Sequence, residues 1–550
     1  MPVKIVPSTP SAYQYPLLIK QLLHTPLATA PEQEISYQGR LRYTYREFNA
    51  RLGQFANTLA ALGVAPGQTV AMMDWDSHRY LECFFAVPMM GAILQTVNVR
   101  LSAEQILYTL NHAEAEVVLV NSEFLPLLAS IAPRLTRVRS FVLIADGAPP
   151  AESPIEFAGE YEALLAAAGS RYDFPDFDEN AQATVFYTTG TTGDPKGVYF
   201  SHRQLVLHTM SLAASLGTAP GQGRFHREDV YMPITPMFHV HAWGFPYLAT
   251  MLGVRQVYPG KYMPETLLRL IREEKVTYSH CVPTIMQMLL THPTSQGMEF
   301  TGWKVLIGGS ALTPALALTA MKRGIDLCTG YGMSETCPVL TLANLNSGDM
   351  RQSAEDQALL RAKTGRPMML VDLRVVDPDM APLPPDGKST GEVVVRTPWL
   401  TQGYLKATDA SEGLWDGGYL HTQDIGYIDA RGFLKITDCI KDVIKTAGEW
   451  TSSLALEDVV GKHEAVAEVA VIGLPDEKWG ERPLALVVLK PEFVGQLSEH
   501  ALRNHAARLI EETGTSRHGV LLQVQFVEAL ARTSVGKINK RAMREARLKS

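Results

Sequence analysis

The sequence predicts an α/β fold: a large N-terminal domain of two parallel-type sheets with helices, a small β-barrel-like unit, and a smaller α+β C-terminal domain. Three observations carry this. The chain has 550 residues, more than one compact core accommodates. Up to about residue 370, helical and strand patterns alternate, as parallel strands joined by crossover helices require. After it, short strands crowd together between turns, and a mixed strand–helix pattern without strict alternation follows.

Residues 45–180 open with YREFNARLGQFANTLAALGV (45–64), apolar at three- and four-residue spacing and ended by Gly63. QTVAMMDW (68–75) reads as a buried strand. LSAEQILYTLNHAEAEVVLVNSE (101–123) repeats the order, a capped helix and then the strand VVLV. Residues 181–370 do the same again. ATVFYTTG, EDVYMPITP, GVRQVYP, VTYSHCVP and WKVLIGGS are strands, with helices such as PETLLRLIREEK between them and Gly or Pro at the joints. VDLRVVD and GEVVVRT, linked by the Pro/Asp/Gly-rich run 377–391, suggest a small antiparallel unit. LALEDVVGKH, EVAVIGLPDEKWGERPLALVVLK and the amphipathic LSEHALRNHAARLIEE form the last unit. The expected division is 1–437, a joint at 438–441, and 442–550.

At 46% hydrophobic and 19% charged, the composition is that of an ordinary globular protein. The net charge of −7 excludes a dedicated nucleic-acid binder, which would carry a basic stripe. Five scattered cysteines without a CxxC pair fit a reducing compartment. The N-terminus carries prolines and polar residues where a signal peptide needs an apolar core. The apolar stretch 84–97 is broken by Pro88 and Gln95 and falls short of a bilayer span. A cytoplasmic protein with no integral membrane segment is expected.

Chemistry first shows in YTTGTTGDPKGV (187–198). Gly190, Gly193 and Gly197 let the backbone turn its N–H groups inward, Thr188, Thr189, Thr191 and Thr192 add hydroxyls, and Lys196 adds a positive charge. Such a loop grips polyphosphate. It is not the GxxxxGK[ST] loop of nucleotide hydrolases, because Lys196 follows Pro195 and precedes Gly197. The paired His239 and His241 lack the Cys/His partners that would complete a zinc set.

The loop resembles the phosphate loop of the adenylate-forming superfamily, which includes acyl-CoA synthetases, luciferases and the adenylation domains of peptide synthetases. Further motifs match in order: PMFHVHAW (236–243), GGS (308–310), GYGMSET (330–336), HTQDIGYID (421–429), DCIKD (438–442), AGEWTSS (447–453) and TSVGKINK (533–540). Within the superfamily, the chain is most similar to medium- and long-chain fatty acid–CoA ligases.

The resemblance implies ATP, Mg²⁺ and coenzyme A, an apolar carboxylic acid as substrate, and a C-terminal domain that rotates between two half-reactions. Thr188, Thr189, Gly190, Thr191, Thr192, Gly193 and Lys196 would hold phosphate. Glu335 would bind Mg²⁺, Ser334 the α-phosphate, and Ser310, Gly330, Tyr331, Gly332 and Met333 the nucleotide. Asp424 would take both ribose hydroxyls, as a carboxylate's two acceptors suit a diol. Lys537 would reach the reacting carboxylate and α-phosphate. The hinge maps to Lys441, with Lys445, Gly448, Glu449 and Trp450 following, Gly448 lining the pantetheine tunnel. His239 would stand beside the reacting carboxylate. Trp243 would gate an acyl pocket lined by Val240, Gly308, Gly309 and Met333, the glycines leaving space along its wall. Two departures stand out. Ala447 replaces a usual glycine, and Cys439 replaces the arginine that normally bonds the ribose, so a weaker nucleotide grip is expected. Rival readings are an adenylation enzyme serving a carrier protein, a luciferase-like oxidase, and a non-catalytic nucleotide-binding protein. The sequence leaves open the preferred acid, the direction of flux and the oligomeric state, a homodimer included.

Overall fold

The computed structural model describes every residue except 1, 148–151, 189–193, 221–222, 447–448, 514–518, 534–537 and 549–550, and leaves out the side chains of residues 449, 450 and 513. Four sheets organise the described residues. A seven-stranded sheet takes its strands in the spatial order Gly159–Glu160, Ser140–Ile144, Ala115–Asn121, Thr69–Met73, Ile93–Thr96, Gln182–Thr188, Lys196–Ser201. All its pairings are parallel except the last, a hairpin that carries the phosphate loop.

A nine-stranded sheet has a parallel centre (Asp326–Gly332, Lys304–Ile307, Tyr278–Cys281, Val230–Pro233, Arg255–Tyr258) and antiparallel margins. One margin comes from the start of the chain: Glu34–Tyr37 pairs in parallel with Arg255–Tyr258, and Leu41–Thr44 folds back on it. Both large sheets are thus parallel at their centres with antiparallel pairs at their margins, the parallel-type architecture expected. The strands Gln182–Thr188 and Lys196–Ser201 complete the first sheet, because Leu94 and Gln95 pair with Thr184 and Val185.

The helix His78–Met89 is buried at every position, since it packs against strands of both sheets. That explains why its sequence lacks a polar face. The helix predicted from residue 45 runs Tyr45–Ala61, started by a Thr44–Glu47 capping box and stopped where Gly63 turns left-handed. Residues 372–439 form a five-stranded antiparallel sheet with its own small apolar core, and the strands between 444 and 526 form a mixed five-stranded sheet, parallel only where Gly480–Leu489 meets Gln523–Phe526, that carries the helices Ser453–Val460, Glu499–Thr513 and Lys540–Leu548.

Candidate functional site

The hairpin of the seven-stranded sheet sets Thr188 opposite Lys196, at the root of the phosphate loop. Thr189, Gly190, Thr191, Thr192 and Gly193 lie outside the described residues. Beneath the loop, the Tyr187 hydroxyl and His112 Nδ1 are 2.8 Å apart. The Lys196 ammonium lies 4.6 Å from the ring centre of Tyr404. Leu405 N–H donates to the Gly197 carbonyl at 2.8 Å. The Tyr404 hydroxyl donates to Glu335 Oε1 at 2.8 Å, so one ring links the loop lysine to the predicted metal-binding carboxylate. Glu335 is buried, and its carbonyl also accepts from Thr401 N–H. Burial, with Glu335 beside it, raises the Tyr404 phenol, which keeps it a hydrogen-bond donor.

The strand Asp326–Gly332 delivers GYGMSET to the same cleft. Gly332 is obligatory: a Cβ there would stand 1.8 Å from the Pro338 carbonyl oxygen. Tyr331 donates its hydroxyl to Asp424 Oδ2 at 2.6 Å, which joins the nine-stranded sheet to the small antiparallel one. Asp424 is paired across the sheet with Cys439. The departure seen in the sequence therefore falls beside the expected ribose-binding carboxylate. Burial, and then the proximity of Asp424, push the Cys439 thiol up to about 11, so it is neutral. Lys441, Lys445 and Ser310 are exposed. Gly448, the side chains of Glu449 and Trp450, and Lys537 lie outside the described residues.

A cavity of about 40 Å³ opens beside this cleft. All six residues predicted for the substrate (His239, Val240, Trp243, Gly308, Gly309 and Met333) line it, together with Gly330, Tyr331, Gly332 and Ser334. The space that Gly308 leaves is taken by the indole: a Cβ on Gly308 would lie 2.9 Å from Trp243 Cη2. Gly309 has its own reason to be glycine, a backbone φ of +78°.

The segment carrying Trp243 is unusual. Val240, His241, Ala242, Trp243 and Gly244 all have positive φ (40°, 58°, 46°, 59° and 78°), a left-handed turn of mostly non-glycine residues. Its approaches are tied down. Met237 N–H donates to Asp76 at 2.9 Å, and Thr96 Oγ1 donates to the Phe238 carbonyl at 3.0 Å. His241 is fully buried among Phe84, Phe186, Phe200 and Tyr247, with Nε2 2.9 Å from Thr184 Oγ1. Burial lowers it to about 3, so it is a neutral structural residue, while His239 reaches the cavity.

Among the described residues, no group of three or more His, Cys, Asp or Glu side chains could hold a metal by itself. A single buried Glu335 suits Mg²⁺, which takes one or two carboxylates and completes its shell with phosphate oxygens and water. Sequence reasoning missed Tyr404, His112 and Thr184. Each acts across a long separation, and no local spacing announces it.

The profile of the AMP-binding enzyme family matches residues 23–405, and that of the AMP-binding enzyme C-terminal domain matches 455–537. The chain is 41% identical to a long-chain-fatty-acid–CoA ligase of Thermus thermophilus, over 92% of this chain and 90% of the relative. It is 36% identical to a 3-methylmercaptopropionyl-CoA ligase of Ruegeria lacuscaerulensis, over 92% of each. The fold superposes on an anthranilate CoA ligase in complex with anthranoyl-AMP with a TM-score of 0.83 at 23% identity, covering 96% of this chain and 98% of that one. Among the described residues, no helix is long and apolar enough to cross a membrane. The ordered motifs, the cleft they build and these matches agree: the chain belongs to the AMP-binding enzymes, among the adenylate-forming acyl-CoA synthetases.

Proposed function

We propose that this protein joins an apolar carboxylic acid (fatty, alicyclic or aromatic) to AMP and passes the acyl group to coenzyme A. In the first half-reaction a carboxylate oxygen bonds to the α-phosphorus of ATP and pyrophosphate departs. In the second, the thiol of CoA adds to the acyl carbon, loses its proton, and AMP departs. Lys196 and the hydroxyls from Thr188 onward neutralise the phosphates, Ser334 contacts the α-phosphate, and Asp424 holds the ribose with Tyr331 oriented beside it. Glu335 would hold Mg²⁺, which when bound would supply charge neutralisation to the phosphates. His239 borders the acid at the mouth of the pocket, and Lys537 completes the adenylating set.

The division at 438–441 belongs to the same proposal. The small antiparallel sheet ends at Cys439 and the next begins at Ile444, so a turn at Lys441 would present the Lys537 segment and the 447–450 loop alternately. A reducing, cytoplasmic setting fits five free thiols.

The observation that carries the reading is the link Lys196–Tyr404–Glu335, with Tyr331–Asp424 in the same cleft: the residues expected to meet phosphate, metal and ribose come together from three separate motifs. The apolar acid rests on the cavity wall, where Val240, Trp243, Leu306 and Val339 offer no charge to a hydrophilic substrate. The test is exchange of labelled pyrophosphate into ATP with a panel of apolar acids, followed by CoA addition. Acid-dependent exchange and acyl-CoA formation are expected. Exchange without thioester would favour a carrier-protein or luciferase-like enzyme, and no exchange with any acid would refute the reading.

A further inference from the structure

The Trp243 indole is clamped from two sides. One edge meets Gly308. On another side is His280, in the strand Tyr278–Cys281, its ring centre 5.1 Å from that of Trp243 and tilted by 35°. His280 is itself stacked on Phe245 at 4.8 Å and 20°, and its Nε2 is 2.8 Å from the Tyr231 hydroxyl. Strand register places His280 beside Leu306. Neighbours in register point to the same face of a sheet, and Leu306 lines the acyl cavity, so the imidazole stands on the cavity side, next to the wall.

The ring is no acid–base group. It is fully buried, and burial lowers it to about 3, so it stays neutral. Its Nδ1 has no hydrogen-bond partner among the described residues. A buried unpaired nitrogen carries a desolvation penalty that an aliphatic residue of similar volume would avoid. Filling the core does not account for a histidine here. Orienting a flat ring does, because the Tyr231 hydroxyl fixes its plane against the indole.

We propose that His280, oriented by Tyr231, is a positioning residue that limits how far the Trp243 side chain can retreat, and so sets the longest acid the pocket accepts. The inference rests on the reading of this cavity as the acyl pocket. The Trp243 backbone is held by the left-handed turn and by the His241–Thr184 contact, so only the side chain can yield. Gly308 closes one side of the indole, and a retreat on the other side meets His280.

The experiment measures kcat and KM for pyrophosphate release over a series of straight-chain acids of increasing length. His280→Ala is expected to move the length cut-off upward. Acids just beyond the wild-type limit should gain about tenfold or more in kcat/KM, mainly through KM, as one methylene in an apolar pocket is worth at least about that factor. His280→Phe restores a flat ring against the indole and is expected to keep the wild-type cut-off. Tyr231→Phe, which frees the imidazole plane, is expected to fall between. Should His280→Ala melt before assay, His280→Leu carries the same expectation. An unchanged cut-off in the Ala or Leu variant, or a uniform loss for every acid, overturns the inference. If the wild type releases pyrophosphate with no acid at all, the acid-activating reading has failed and the inference falls with it.

Discussion

Cys439 and Tyr404 show how single side chains tune this cleft. Cys439 lies opposite Asp424, and a neutral thiol is a poor donor to a ribose hydroxyl. Cys439→Arg is expected to tighten AMP binding by about tenfold, since a charge-assisted hydrogen bond is worth roughly 1.5–3 kcal/mol before side-chain ordering is subtracted. Isothermal titration would show it, and an unchanged Kd would discard the idea. Tyr404→Phe removes the hydroxyl on Glu335 and keeps the ring under Lys196. Pyrophosphate exchange should drop about tenfold while the apo-protein melting temperature barely moves. The two residues also differ in legibility. Cys439 could be read because it interrupts a recognisable motif. Tyr404 could not: 69 residues separate it from Glu335, and only the folded chain brings them together.

At the level of elements, the left-handed turn at 240–244 stands apart. An L-residue pays about 1–2 kcal/mol for that conformation, whereas glycine gives up roughly 0.5–1 kcal/mol through its looser unfolded chain. Ala242→Gly should therefore stabilise the fold by about 0.5–1 kcal/mol, seen as a later midpoint in chemical denaturation. An earlier midpoint would mean that Ala242 packing outweighs the strain. Periodicity foretold helices such as Tyr45–Ala61 well, because their signal is local: apolar spacing, a capping box, a terminal glycine. It could not foretell this turn, since Val240, Ala242 and Trp243 do not favour positive φ and one histidine does not announce a run of it. Nor could it assign the strand Gln182–Thr188 to its sheet, a choice made by pairing with Ile93–Thr96, far back in the chain.

Across the whole molecule, a buried carboxyl ties the loops of the two sheets together. Asp76 joins the loop before His239 to Tyr262, whose hydroxyl donates to it, and to a main-chain bridge at Gly260. Burial pushes its carboxyl up to about 7. Between its unfolded value of 3.8 and that pH, the folded state keeps a proton that the unfolded chain has released, so stability contributed by this group falls as pH rises through the window. Asp76→Asn should remove that slope. Melting temperatures compared across about pH 5 to 8 would show wild type losing ground to the variant as pH increases. A constant gap would exclude Asp76 as its source. The strand Glu34–Tyr37 carries a different consequence. Among the described residues, its one strand partner beyond its own hairpin is Arg255–Tyr258, and Ser36 meets Gln256 across 220 positions. During synthesis at roughly 5–20 residues per second, the first-made edge waits roughly 10–40 s for its neighbour to leave the ribosome. Throughout that interval the segment lacks the strand that seats it, and because a lone two-stranded hairpin is marginally stable at best, its backbone N–H and C=O groups stay open to other partners.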